Sequence, residues 1–136
     1  MNTNVQNTAA LAGRILLALI FIISGFGKIT GYAGTAGYMA SKGLPMVAVL
    51  LPLTILVELG GGLLIALGWK ARWAAAVIFL FIIPVTLVFH NPAGLDAAQA
   101  QQQMINLLKN LSIMGGMLGL FAFGPGGFSL DAKHGA

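Results

Sequence analysis

One carboxylate lies in the middle of an apolar run. Residues 52–68 read PLTILVELGGGLLIALG, and Glu58 is the only acidic residue inside any hydrophobic run of the chain. If the run crosses a bilayer, Glu58 falls near the midplane, where insertion scales charge such a group roughly 2.5–3.5 kcal/mol. Each surrounding Leu, Ile or Val returns about 0.3–0.6 kcal/mol, so the helix still inserts. Helical spacing puts Thr54, Gly61, Gly62 and Ile65 on the Glu58 face, a small and polar stripe that suits contact with other helices rather than lipid.

Further polar groups occur inside the other runs. Arg14, Ala18, Phe21, Gly25 and Lys28 recur at helical spacing on one face of the first run. The two cations are then about 21 Å apart along the axis at about 1.5 Å per residue. His90 closes the third run, and Asn106, Lys109 and Asn110 share a stripe with Ile113 and Met117 in the fourth. With the termini on the inner side, Lys28, His90, Asn106, Lys109 and Asn110 all come from the outer ends of their helices, and Arg14 from an inner end. This convergence predicts a pocket facing the outer leaflet, cationic at its mouth and floored by Glu58. Purely structural roles compete with each member. Glu58 paired with Arg14 or Lys109 would fix helix register. Arg14 and Lys28 taken singly suit snorkelling to headgroups, Asn106 and Asn110 suit interhelical hydrogen bonds, and His90 before Asn91-Pro92 suits an interfacial turn better than a metal site.

Several chemistries are excluded. His90 and His134 would fall on opposite sides of the bilayer, which rules out a bis-histidine haem within one chain. Without cysteine there is no disulfide, no thiol exchange and no thiolate for an iron–sulfur cluster. HExxH, GxSxG and phosphate-loop motifs are missing, and Gly60-Gly61-Gly62 lies inside a run, where it serves packing.

The elements that must position these groups follow from composition. Of 136 residues, 58% are hydrophobic and 7% charged, against roughly 25% charged in soluble domains; mean hydropathy is +0.92. A hydrocarbon thickness of about 30 Å asks for about 20 apolar residues per crossing. Residues 11–29, 45–67, 71–89 and 104–123 qualify, which predicts an all-α fold: one four-helix transmembrane domain over 1–136, with no internal repeat. The net charge of +4 sits at span ends, as membrane proteins place it, so nucleic acid is not an expected partner.

The first run follows a polar start (residues 1–8, read as flexible) and lacks an Ala-x-Ala site, so it reads as a retained span. Residues 30–44 are too polar to cross and predict a short surface helix with Thr35 as N-cap and Gly43 as its stop. Pro52 and Pro84 remove donors inside the second and third spans and predict kinks there, with Thr86 or a neighbouring helix compensating at Pro84. Trp69, Lys70, Arg72 and Trp73 mark an interfacial turn. Asp96 caps the fourth helix with Gln99 three residues on, Gly115 and Gly119 form a pair suited to close helix approach, and residues 124–136 read as a short polar end. Both termini share one side. Arg14, Lys70, Arg72 and Lys133 there oppose Lys28, Lys42 and Lys109, or Lys42 alone if Lys28 and Lys109 are interior, which favours cytoplasmic termini.

Arg14-Ile15-Leu16-Leu17, Ser24-Gly25-Phe26-Gly27-Lys28, YMASKGLP at 38–45, Glu58-Leu59-Gly60-Gly61-Gly62, Gly68 with Arg72, His90, Lys109-Asn110-Leu111, Gly115-Gly116 and Gly124-Pro125-Gly126 with Ser129 and Asp131 occur in that order. Together they resemble the DoxX family of small bacterial membrane proteins across nearly the whole chain. The resemblance implies a four-helix bundle in the bacterial inner membrane. It also implies a redox link, since a related member is a subunit of a thiosulfate:quinone oxidoreductase and others are tied to redox or thiol-stress complexes. The expectation is an accessory subunit offering a quinone- or anion-binding pocket to a soluble or membrane redox partner. The alternatives are a small transporter, which would need to form a homo-oligomer, and a non-catalytic scaffold.

Overall fold

The computed structural model describes residues 1–135. The chain runs through α1 (Thr3–Thr30), α2 (Tyr32–Ser41), α3 (Val47–Ile55), a π-helical turn (Leu56–Gly60), α4 (Gly61–Leu67), α5 (Ala71–Phe89), α6 (Ala97–Phe123) and α7 (Leu130–His134). Four helical stretches are long and apolar enough to cross a membrane: α1, the composite Val47–Leu67, α5 and α6. Their packing order is α6 on α5, α5 on α4, and α4 with the π turn on α1, while α2 lies across α1 and α3 at the end remote from the termini.

The buried centre is built from small and mid-sized groups, among them Ala18, Phe21, Ile65, Ala74, Ala75, Ile78 and Met117. Large apolar side chains point outward instead, Leu16, Trp73 and Phe123 being 70%, 74% and 87% exposed. Such a surface would be unstable in water and is the one lipid requires, since helices gain nothing there from hiding leucine and associate through small residues. Gly25 and Gly62 make the close approach of α1 to its neighbour. A Cβ on Gly25 would lie 2.8 Å from Leu59 N, and one on Gly62 3.0 Å from Ile22 Cγ1. Gly115 and Gly119 have nothing within 4 Å of a Cβ, so the pair suggested by sequence makes no close helix approach among the described residues.

Pro52 lies inside α3, and the π turn begins four residues later. The interruption expected in the second span is therefore a local widening, and Glu58 occupies it. Extra-residue turns of this kind recur at functional positions because they swing one side chain out of the regular stripe. α5 stays helical through Pro84. The Thr86 side chain reaches the neighbouring helix: its Oγ1 accepts a 2.9 Å hydrogen bond from Asn110 Nδ2 on α6.

Three local expectations are corrected. Residues 1–8 are not a loose arm: α1 begins at Thr3, capped by Asn2 Oδ1 on Asn4 N at 2.8 Å, and Asn7 Oδ1 accepts from Gly127 N at 3.0 Å. The surface helix starts at Tyr32 after Gly31 rather than at Thr35, because the Thr35 hydroxyl donates back to Gly31 O at 3.1 Å and caps nothing. The polar end folds into α7, whose Asp131 caps α5 across the chain. Its Oδ1 and Oδ2 accept from Lys70 N at 2.6 Å and Ala71 N at 3.0 Å, and Asp131 N donates to Gly68 O at 2.9 Å. Asp96, by contrast, caps α6 as its sequence suggests, accepting from Gln99 N at 2.9 Å. Losing the cross-chain cap leaves the Lys70 and Ala71 amides without partners, so Asp131→Ala is expected to cost about 1 kcal/mol, seen as a lower thermal midpoint in detergent.

Candidate functional site

At the end remote from the termini, α1, α2, α3, the π turn and α5 enclose a cavity of about 430 Å³. Glu58, 7% exposed, and Lys28 lie at its lining. Lys28 Nζ donates to Glu58 Oε2 at 3.1 Å and to Ser24 Oγ at 2.7 Å. This is the one ion pair among the described residues. Two of the three ammonium protons are so used, and Glu58 Oε1 accepts no hydrogen bond among the described residues. The pair thus keeps one donor and one acceptor to spare. Ser24 and Lys28 are one turn apart on α1, so the helix itself aims the ammonium.

The rest of the wall is apolar with a few polar groups. Met39, Val85 and Phe89 supply hydrocarbon, and Thr35, Thr54, Tyr38 and His90 supply hydroxyls and an imidazole. Tyr38 stacks on Phe89, ring centroids 5.5 Å apart at 29°, which fastens α2 to the end of α5. Lys42 Nζ, from the C-cap of α2, sits 5.6 Å from the centre of the Tyr38 ring. His90 Nδ1 is 2.9 Å from Gln103 Oε1, and Asn106 Nδ2 donates to that same oxygen at 3.3 Å, so α6 reaches the site only through Gln103 and His90.

Of the residues singled out by sequence, Lys28, Glu58 and His90 meet at this cavity. Asn106 stands behind His90. Asn110 is buried in its bond to Thr86, and a step of about 100° per residue then turns the adjacent Lys109 outward, where it is exposed. Arg14 is at the opposite end, 3% exposed, with Nη2 donating to Phe128 O at 2.6 Å. Glu58 therefore pairs with Lys28 and with neither Arg14 nor Lys109, and the mouth is not a ring of cations. The α2 residues Thr35, Tyr38 and Met39 escaped the sequence reading as site residues. Their signal was present as one face of a short helix, but nothing in the sequence says which way a surface helix folds over a bundle.

The DoxX family model matches residues 9–91, a range that holds Lys28, Tyr38, Glu58 and His90. The chain belongs to the DoxX family. It is 40% identical over 126 residues to the Inner membrane protein YqjF of Escherichia coli (strain K12), covering 93% of this chain and 92% of that one. It is 37% identical over 123 residues to the Inner membrane protein YphA of the same organism, covering 90% and 88%. No solved structure matches significantly. For this DoxX chain, then, the matched segment carries most of α1, all of α2 to α5 and the whole ion pair, and α6 buttresses it from outside that segment.

Proposed function

We propose that this DoxX protein is an inner-membrane subunit that binds a quinone for a redox partner and does not itself carry electrons. The observation that supports this most is the Lys28–Glu58 pair set in an apolar cavity of about 430 Å³, within the range of about 300–1,000 Å³ typical of small-molecule sites. A quinone ring suits apolar walls, its carbonyl oxygen suits the remaining Lys28 proton, and the hydroxyl of the reduced form suits Glu58 Oε1. A free anion suits the site less well, because Lys28 is already neutralised. The relatives' names supply the inner membrane. The charge bias supports cytoplasmic termini: with Lys28 spent on Glu58, Lys42 and Lys109 remain at the site end against Arg14, Lys70, Arg72 and Lys133 at the other.

The test is extraction of co-purified quinone followed by titration with a short-chain quinone in detergent. Saturable binding that Glu58→Gln removes supports the reading. Absence of binding, or a Glu58→Gln change confined to thermal stability, would leave only a scaffold. Because Lys109 faces outward, Lys109→Ala is expected to leave quinone affinity within about twofold, less than the roughly 1.4 kcal/mol that a tenfold change would represent, by the same titration.

A further inference from the structure

The end of the bundle that carries the termini holds a second place with ligand-binding character, unrelated to the quinone reading. A cavity of about 520 Å³ is lined by Lys70, Arg72, Trp73, Pro125 and Asp131. An apolar groove of about 340 Å³ runs from it along α4 and α5, past Leu56, Leu64 and Val77, and Lys70 and Trp73 line both.

The charges here are unbalanced. Asp131 is the one acid in the cavity, and both its oxygens are committed to the Lys70 and Ala71 amides. Lys70 and Arg72 side chains make no hydrogen bond among the described residues, and at the same end of the bundle buried Arg14 has Nε and Nη1 without partners. The backbone brings both cations to the cavity. Lys70 takes a left-handed φ of 49° at the cap of α5. The Arg72 guanidinium lies over Gly124, where a Cβ would come within 3.1 Å of Nη2 and where φ is +79°. The Arg72 guanidinium offers a fork of donors that suits a tetrahedral oxyanion. The tryptophan at the rim, 74% exposed, sets the depth at the headgroup layer.

We infer that this cavity and groove together bind one acidic phospholipid, its phosphate on Lys70 and Arg72 and an acyl chain along the α4–α5 groove. The continuity of a basic pocket with an apolar groove through two shared residues is what selects an amphiphile over a free phosphate ion. Basic pockets between helices on the cytoplasmic side are where anionic headgroups collect.

The full-length protein, delipidated in mild detergent, is titrated with phosphatidylglycerol, with phosphatidylcholine of the same acyl chains and with inorganic phosphate, and read by native mass spectrometry and thermal denaturation. One saturable phosphatidylglycerol is expected, with phosphatidylcholine clearly weaker and phosphate giving no protection at the same concentration. Each cation near the headgroup is expected to contribute about fivefold, so Lys70→Asn with Arg72→Gln weakens phosphatidylglycerol about 25-fold; Asn is chosen because it tolerates the left-handed backbone. Val77→Trp, on the lipid-facing groove wall, weakens the lipid while leaving every charge in place, and it decides the question if the charge variant does not fold. Equal binding of the two lipids, indifference to both variants, or protection by phosphate as strong as by lipid would overturn the assignment.

Discussion

Gly25→Ala is expected to lower stability by about 2–3 kcal/mol, near the upper end for overpacking, and to weaken ligand binding at the same time. The added methyl would sit 2.8 Å from Leu59 N and 2.9 Å from Leu59 Cβ. One of these is backbone, which cannot turn aside as a flexible side chain would, so α1 must move off the π turn. Lys28 lies three residues further along the same helix and Glu58 is next to Leu59, so the movement that relieves the clash also lengthens the ion pair. Gly119→Ala is the control: nothing lies within 4 Å of its Cβ, and its effect on stability should stay within about 0.5 kcal/mol. Unfolding in mixed detergent, run beside a quinone titration, reads both quantities.

The ion pair itself gives the second large effect. Removing one partner of a fully buried pair costs about 3–5 kcal/mol because the other charge is stranded. Here the Lys28 side chain is 23% exposed and that of Glu58 9%, so Lys28→Met and Glu58→Gln are each expected to cost about 2–3 kcal/mol. The double variant strands no charge and should regain most of that stability. Binding should behave differently, lost in both single variants and not restored in the double. A pair that served only helix register would show the recovery of stability with no binding in any form, wild type included.

Membrane character and the number of crossings were legible because lipid imposes a crude requirement of length and apolarity, which residues 52–68 or 71–89 satisfy without any tertiary knowledge. The inward face of α1 was legible for the same reason in reverse, since Arg14, Ala18 and Gly25, charged or small, are residues a lipid-facing stripe would avoid, and all three are buried together with Phe21. What periodicity could not supply was depth and partner. Gly25 and Gly119 look alike in sequence, yet one meets a backbone and the other open space. The sequence offered Arg14 or Lys109 as the partner of Glu58, whereas the structure pairs it with Lys28 from within a π turn that no propensity announces. Asp131 looked like tail composition, because a cap donated across 60 residues leaves no local trace. The part of the cavity wall supplied by α2 depends on how Tyr38 docks on Phe89, a tertiary contact between segments far apart in the chain.

Photolabelling with a light-activated quinone in bilayers bears most directly on whether the Lys28–Glu58 cavity is a quinone site. Adducts are expected within residues 34–39 and 85–90, competed by excess unlabelled quinone and lost in Glu58→Gln. Labels scattered over lipid-facing positions such as Leu16 and Phe123, indifferent to competitor and to Glu58, would contradict it.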